Sequence, residues 1–276
     1  MKFTKMHGCG NDYVYVDCTQ TMIDDPGRVA ALVSHRHFGV GGDGLILICP
    51  SEVADFRMAM YNADGSEGAM CGNGIRCVAK FVYDKGLTDK TELCIETRSG
   101  VKTLQLNVEE GKVVSVRVDM GEPNVAAAAV PVRGMGNFVI DREVTIAGYP
   151  WVMTCLSMGN PHAVVWVESV ADLPLEQLGP QFEHHPMFPD RVNTEFVEVV
   201  DDHTLRMRVW ERGSGETLAC GTGACAAVAA AYISEYTGPQ VHVILQGGEL
   251  DVEVAEDNHI YMTGPATIVF EGEIDL

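Results

Sequence analysis

Short runs of alternating or β-branched apolar residues recur along the whole chain and predict that most of its regular structure is β-strand. Alternation of apolar and polar positions is typical of a strand with one buried face, and a short continuous apolar run is typical of a strand buried on both faces. The clearest runs are YVYVD, LILIC, VVSVRV, AVVWV, TEFVEVV and VHVIL.

Only a few segments show helical spacing of apolar residues. Ile75, Val78, Ala79 and Val82 recur at helical intervals after the loop AMCGNG, which predicts a helix over 74–84. The segment ACAAVAAAYISEY, 224–236, is apolar on nearly every face of its first three turns. Such a helix is enclosed by other elements rather than lying on the surface.

The two halves of the chain resemble each other in sequence. FRMAMYNADGSEGAMCGNG, 56–74, aligns without a gap on LRMRVWERGSGETLACGTG, 205–223, at a constant offset of 220 − 71 = 149. The same offset places Asn11 on Asn160. An ordered match of this length indicates two copies of one structural plan.

The ends of the two copies are marked by similar phrases, MGEP at 120–123 and MTGP at 262–265, where proline ends a strand. We therefore predict one domain over 1–118, joined by the C-terminal segment 265–276, and a second domain over 119–264. The predicted fold is α+β, with two pseudo-symmetric domains that each wrap a mainly antiparallel sheet around a central helix. The N-terminus of each central helix is expected to point at an interdomain cleft.

Composition narrows the classes of function. The chain of 276 residues is 46% hydrophobic and carries a formal net charge of −20. Nucleic-acid binding relies on clustered Lys and Arg, and the chain has no basic run, so no nucleic-acid partner is expected. No apolar run reaches the length of a membrane helix, and the N-terminus lacks a signal-peptide pattern. We expect a cytoplasmic protein with no membrane partner.

The nine cysteines are scattered and odd in number, so they do not resemble a disulfide framework. Zinc sites use closely spaced cysteine pairs such as Cys-x2-Cys, which are absent here, so no metal is expected. Most of the cysteines are expected to be small apolar core residues. A thiol-based redox or metal-binding protein remains an alternative, with Cys71 and Cys220 as its switch.

Cys71 and Cys220 are distinguished by the repeat, because they are equivalent positions and each precedes Gly-x-Gly at a predicted helix start. A helix N-terminus carries outward N–H groups and a partial positive charge. This setting is expected to lower the pKa of the thiols, while the glycines clear the backbone for a substrate and the N–H groups hold its carboxylate.

Two thiols that face one carbon suit a single type of reaction. One thiolate removes a proton from the stereocentre, and the opposite thiol delivers a proton to the other face. The sequence thus indicates racemisation or epimerisation next to a carboxylate, with no cofactor. Aimed N–H groups in a dry site would stabilise the carbanion.

Several long motifs resemble those of the diaminopimelate epimerase family, and the resemblance extends over nearly the whole chain. The matching stretches are KMHGCGNDYVYVD, YNADGSEGAMCGNGIRC, MGNPHAVVWV, RVNTEFVEV and WERGSGETLACGTGACA. The resemblance implies interconversion of LL- and meso-2,6-diaminopimelate in lysine and peptidoglycan precursor synthesis. It also implies that Cys71 and Cys220 are the catalytic acid and base, that no pyridoxal phosphate or metal is used, and that the protein is a homodimer.

The resemblance also carries over the substrate-binding residues. The two amino-acid ends of the substrate would be held by Asn11, Asn62, Asn160, Asn193, Glu211 and Arg212. The carboxylate at the reacting carbon would be bound by backbone N–H groups of Gly72, Asn73, Gly221 and Thr222. His162 has two readings, a satisfied core histidine or an assistant to proton movement at one cysteine, and Glu211 would serve the other thiol.

One position departs from the family pattern. Some members carry glutamine after FGVGGD, where this chain has Gly44, so one polar substrate contact is missing or replaced by water. The GVGGDG stretch runs into a strand rather than a helix, so no dinucleotide site is expected. A proline racemase or a related amino-acid isomerase is the alternative enzyme, although the four asparagines and Arg212 exceed what a small imino acid needs.

Overall fold

The computed structural model describes residues 1–276, which fold as two compact units. The first unit comprises Met1–Asp119 and Thr263–Leu276, and the second comprises Met120–Met262. None of the helices combines the length and the apolar character that crossing a membrane requires.

The first unit is built mainly from antiparallel strands. The antiparallel pairs are β1–β2, β3–β4, β6–β7 and β7–β8. The pairs β2–β3 and β4–β6 are parallel. Its elements are β1 (Lys2–Gly8), β2 (Asn11–Asp17), α1 (Pro26–Ser34), β3 (Gly44–Cys49), β4 (Phe56–Asn62), β5 (Glu67–Gly68), α2 (Gly72–Asp84), β6 (Glu92–Thr97), β7 (Gly100–Glu109) and β8 (Lys112–Gly121).

The second unit follows the same plan after a short 3-10 helix at Ala127–Ala129. β9, β10 and β11 are antiparallel, β12 runs parallel to β11 and antiparallel to β13, and β13 runs parallel to β15. Its elements are β9 (Arg142–Ile146), β10 (Tyr149–Ser157), β11 (Pro161–Trp166), α3 (Leu175–Glu183), β12 (Asn193–Asp201), β13 (Thr204–Glu211), β14 (Gly215–Thr217), α4 (Gly221–Ile233), β15 (Gln240–Leu245), β16 (Gly248–Val254) and β17 (Ile260–Gly264).

The C-terminal segment belongs to the first unit. Its strand, β18 (Thr267–Glu273), pairs antiparallel with β1, and Met1 and Ile274 exchange backbone hydrogen bonds. The predicted α+β class with mainly antiparallel sheets is confirmed.

The two central helices lie against the sheets, although α4 is apolar on all its faces and α2 is amphipathic. α2 packs against β1, β2 and β7, and α4 packs against strands that include β10, β12 and β16. In α4 every residue from Gly223 to Ala231 is fully or almost fully buried, as the all-round apolar pattern predicts. The helix ends at Ile233 rather than at residue 236, because Glu235 adopts a left-handed backbone with φ 58°.

Candidate active site

Cys71 and Cys220 are the N-cap residues of α2 and α4. Both have extended backbones, with φ −134° and −118°, and both sulfurs accept a hydrogen bond from the third helical residue. The distance from Gly74 N to the Cys71 sulfur is 3.3 Å, and that from Gly223 N to the Cys220 sulfur is 3.4 Å. Each thiol therefore stands in for the Ser or Asp that usually caps a helix and lies at its positive end.

The second glycine after each cysteine has a packing role. A Cβ at Gly74 would lie 2.7 Å from Ile46 Cδ1, and a Cβ at Gly223 would lie 2.7 Å from Glu195 Oε1. These glycines therefore let a β-strand side chain approach the helix.

In the first unit, Cys71 contacts an asparagine held by a carboxylate. The Cys71 thiol donates to Asn11 Oδ1 at 3.1 Å, and Asn11 Nδ2 donates to Asp43 Oδ2 at 2.7 Å. Because a carboxylate only accepts, Asp43 fixes the Asn11 amide with its oxygen toward the sulfur. Arg36 binds both Asp43 and Asp12 and so holds this carboxylate in place.

A fully buried arginine organises the first turn of α2. Arg76 donates to the Gly72 carbonyl at 3.0 Å, to Asn73 Oδ1 at 2.9 Å and to the Pro265 carbonyl at 3.2 Å. The last bond ties the helix to the C-terminal segment of the same unit. A buried guanidinium is tolerated because its planar donors are met by these acceptors.

In the second unit, a chain of hydrogen bonds leads from a buried carboxyl group to the Cys220 sulfur. Glu195 Oε1 lies 2.8 Å from His162 Nδ1, and His162 Nε2 lies 2.9 Å from Asn160 Oδ1. Asn160 Nδ2 donates to Thr222 Oγ1 at 3.2 Å, and that hydroxyl lies 3.5 Å from the Cys220 sulfur. The side chains of His162 and Glu195 are completely buried.

Burial controls the electrostatics of Cys220. It raises the pKa of the Cys220 thiol well above its ordinary value, and the carboxylates of Glu211 and Glu195 raise it further when ionised. The Thr222 hydroxyl and the Gly223 N–H oppose this change. The prediction that the helix end lowers the pKa was therefore wrong for Cys220, because desolvation of the thiolate outweighs the helix terminus.

Glu211 is the second carboxyl group beside Cys220. Burial raises the pKa of the Glu211 carboxyl, while hydrogen bonds from Thr217 and from the Cys220 thiol lower it. A carboxyl group with a raised pKa beside a thiol is better suited than an ordinary carboxyl group to exchange a proton with it.

The remaining predicted residues lie at strand ends in the two units. In the first, Asn62 Nδ2 donates to Ser66 Oγ, within the turn that follows β4. In the second, Asn193 donates to the Pro161 carbonyl at 2.8 Å and accepts from Arg212 N at 2.9 Å. Asn193 therefore fixes the backbone of Arg212, which is predicted to bind the substrate. The Arg212 guanidinium donates to the Asp190 carbonyl at 3.0 Å.

Gly44 leaves no room for the glutamine that some family members carry. A Cβ at this position would lie 2.1 Å from the Tyr61 carbonyl oxygen and 2.8 Å from the Tyr13 ring. The absence of a side chain at residue 44 is thus built into the pairing of β3 with β4.

Sequence reasoning missed three residues that surround the thiols, namely Asp43, Arg76 and Glu195. Arg76 was hidden because a charged residue within an amphipathic pattern is usually assigned to the solvent face. Glu195 had a signal, since the repeat offset aligns it on Ile46 in an otherwise apolar strand, 195 − 46 = 149. A carboxyl group at a buried strand position requires a partner.

None of the nine cysteines forms a disulfide bond, and six of them outside the two N-caps are buried. These are Cys9, Cys18, Cys49, Cys77, Cys155 and Cys225. No group of three or more His, Cys, Asp or Glu side chains is arranged to hold a metal ion.

Comparison with known proteins places the chain in a family. The profile of the diaminopimelate epimerase family matches residues 3–126 and 154–269. The chain is 59% identical to the diaminopimelate epimerase of Methanococcus maripaludis strain C5, with both proteins covered in full. It is equally 59% identical, again over the full length of both, to the enzyme of that name from Agathobacter rectalis.

Solved structures of more distant proteins share the fold. A phenazine biosynthesis protein of the PhzF family from Bacillus anthracis has a TM-score of 0.70 at 19% identity, covering 100% of this chain and 99% of that one. A hydroxyproline epimerase from Agrobacterium vitis has a TM-score of 0.69 at 16% identity, covering 99% of this chain and 90% of that one. These two show the fold alone, whereas the sequence matches decide the family: the chain belongs to the diaminopimelate epimerase family of isomerases.

Proposed function

We propose that this protein interconverts LL- and meso-2,6-diaminopimelate by proton transfer between two thiols and the substrate α-carbon, without a cofactor. The observation that carries the mechanism is the matched pair of cysteine N-caps, each bound to a glycine N–H at an equivalent helix start. Family membership and the full-length identity to diaminopimelate epimerases support the substrate.

The reaction consumes no proton overall, because one sulfur gains a proton and the other loses one. One thiolate takes the α-hydrogen, and the electron pair of the broken C–H bond is delocalised into the substrate carboxylate. The opposite thiol then donates its proton to the other face of the carbon, which inverts the centre and leaves the charge on the second sulfur. The reverse reaction exchanges the roles of Cys71 and Cys220.

The helix starts supply the groups that stabilise the intermediate. N–H groups of the first helical turn point away from the helix, so those of Gly72 and Asn73, and of Gly221 and Thr222, are suited to bind the substrate carboxylate. Negative charge that develops there during proton removal would be stabilised more strongly than the ground state.

The far end of the substrate requires groups of both charges. We assign its binding to the Arg212 guanidinium, Glu211 and the asparagine side chains; a guanidinium matches a carboxylate through paired donors. The asparagines concerned are Asn11, Asn62, Asn160 and Asn193. The supporting acid and base roles are assigned to His162 and Glu211.

The test is turnover of LL-diaminopimelate in deuterated water. At early times the product should carry deuterium at the reacting carbon, while recovered substrate should carry little, because separate groups remove and deliver the proton. Equal labelling of product and substrate at early times would indicate a single exchanging base and overturn the two-thiol mechanism.

A parallel assay with L-proline distinguishes the substrate class. We expect turnover of diaminopimelate and none of proline. Turnover of proline alone would overturn the assigned substrate while leaving the paired-thiol chemistry in place.

We further propose that the protein acts in the cytoplasm and that it is a homodimer, as the family resemblance implies. Light scattering during gel filtration measures the mass of the assembly directly. A mass equal to one chain of 29.9 kDa at working concentrations would contradict the dimer.

A further inference from the structure

The buried pair of Glu195 and His162 must hold a proton between its two closest atoms. Both side chains are completely buried, and Glu195 Oε1 lies 2.8 Å from His162 Nδ1. A carboxylate oxygen and a bare ring nitrogen would meet lone pair to lone pair at this distance, so one of them carries a hydrogen. A pair that is neutral overall also avoids the cost of an isolated buried carboxylate.

The other ring nitrogen of His162 carries a hydrogen as well. Nε2 faces Asn160 Oδ1 at 2.9 Å, and an amide oxygen only accepts. The Asn160 amide is oriented with Nδ2 toward Thr222 Oγ1, to which it donates. In the reversed orientation Nδ2 would donate to a bare Nε2 and the Thr222 hydroxyl would donate to Oδ1; that arrangement would overturn the proposal in the NMR measurement below. Since that hydroxyl already accepts from Asn160, its own hydrogen is available to the Cys220 sulfur 3.5 Å away.

Every donor in this chain therefore points toward Cys220. The order is His162, Asn160, Thr222 and then the sulfur, whose own hydrogen is directed at Glu211. Donors that all point toward a thiol favour its ionised form. The direction of the chain depends on the hydrogen on His162 Nε2, and that hydrogen depends on what meets Nδ1.

Glu195 Oε2 supports the placement of the shared hydrogen on the carboxyl group. This atom is buried without a hydrogen-bond partner. An uncharged carboxyl oxygen tolerates that position, whereas a carboxylate oxygen would pay a large desolvation penalty there.

We propose that Glu195 is a positioning residue for Cys220. Its carboxyl group supplies a hydrogen to His162 Nδ1, which keeps the other ring hydrogen on Nε2. The Nε2 hydrogen fixes the Asn160 amide, and the amide directs the Thr222 hydroxyl at the sulfur. This inference rests on the proposed role of Cys220, although its first test does not require turnover.

Other titratable groups face this chain. Glu211 interacts with both His162 and Cys220, and Cys155 on β10 interacts with Glu195. Burial raises the pKa of the Cys155 thiol, so this thiol stays protonated when Cys220 ionises. The measurements below therefore use substitutions that leave Glu211 and Cys155 in place.

The first test is nitrogen NMR of protein labelled with ¹⁵N-histidine, with the His162 signals assigned by their loss in His162→Asn. We expect a hydrogen on Nε2 in the wild-type protein. A wild-type ring with a bare Nε2 and a hydrogen on Nδ1 would overturn the proposal, whatever the activity. Failure of the proposed function alone would leave this NMR result unchanged.

The second test compares Glu195→Gln with Glu195→Met, two uncharged side chains of similar length. Glutamine can donate from its amide to Nδ1, so the Nε2 hydrogen, the pH profile and turnover within a few-fold should be kept. Methionine removes the donor, so kcat should fall about tenfold or more and the rise of activity with pH should move to higher pH. A merely structural role would change the melting temperature without moving the pH profile.

A double variant keeps the proposal testable if Glu195→Met is unstable. Thr222→Val removes the last hydroxyl of the chain, and after that change replacing Glu195 with glutamine or methionine should cost little more activity. Additive losses in Glu195→Met/Thr222→Val would contradict a common pathway. Wild-type kcat and pH profile in a folded Glu195→Met protein would also contradict it.

Discussion

The starts of α2 and α4 share one cysteine and glycine pattern, but the groups that face the two sulfurs have opposite polarity. Asn11 presents its oxygen to Cys71, because Asp43 binds its nitrogen. Asn160, its equivalent in the repeat, presents its nitrogen to Thr222 beside Cys220, because His162 binds its oxygen. One half-site thus offers an acceptor to the thiol, and the other offers a donor.

The difference originates at two further pairs of equivalent positions. Tyr13 aligns with His162 and Ile46 aligns with Glu195 at the same offset of 149. Ile46 and Glu195 even contact the equivalent glycines of the two helices. Asp43, which orients Asn11, aligns with Val192 at the same offset. Together these exchanges within a common framework reverse the hydrogen-bond direction at a thiol, which suits one group that gives a proton and one that accepts it.

The largest expected effect tests whether both thiols are needed. Cys71→Ala and Cys220→Ala should each lower kcat by at least about 10³-fold, since each removes a proton-transfer group. The matched control is Cys225→Ala, one turn into α4, where the thiol is buried away from the N-cap. A Cys71→Ala protein with near-normal kcat would end the two-thiol interpretation.

The second effect concerns stability and separates the two helix starts. Arg76 is equivalent to Cys225, so only α2 depends on a buried guanidinium. Arg76→Met leaves the Gly72 and Pro265 carbonyls without their donor and should lower the free energy of unfolding by about 3 kcal/mol. Denaturant titration measures this. The control, Arg28→Met on the exposed face of α1, should change it by less than about 0.5 kcal/mol.

The third effect tests the acidic surroundings of Cys220. The pKa of this thiol is raised by burial and then by Glu211, so thiolate forms only at higher pH than for an ordinary cysteine. Glu211→Gln removes one of these causes, and alkylation of Cys220 should then begin at lower pH. Mass spectrometry of the peptide that contains residue 220 gives the rate at each pH.

The matched control for this measurement is Glu256→Gln, an exposed loop carboxylate of the same unit. It removes the same charge at a position open to solvent and should leave the profile of Cys220 unchanged. A shift to higher pH in Glu211→Gln would contradict the stated cause.

The smallest effect tests the orientation of Asn11. Asp43→Asn keeps the size of the side chain but lets it donate, so the Asn11 amide is no longer fixed with its oxygen toward Cys71. We expect kcat/KM to fall by about threefold to tenfold, as for one weakened hydrogen bond. An unchanged kcat/KM would show that Asp43 has no role in orienting Asn11.

Much of the fold followed from local pattern. The strands follow from apolar alternation, and the two central helices from the Gly-x-Gly starts and the apolar runs after them. The apolar pattern did not predict helix α1, although Asp25 followed by Pro26 is a recognisable helix start. Helix α3 gave a weaker signal, because Pro180 lies inside it and no side chain caps its start.

The sequence by itself determined the repeat, the α+β class, the family and the two cysteines at equivalent helix starts. These features depend on residue identity and spacing, which are fully contained in the chain. Only the tertiary structure decided which atoms of the asparagines face the thiols, that Arg76 and Glu195 are buried, and that burial raises the pKa of Cys220. Hydrogen-bond direction and desolvation depend on neighbours from distant strands, and no local pattern records them.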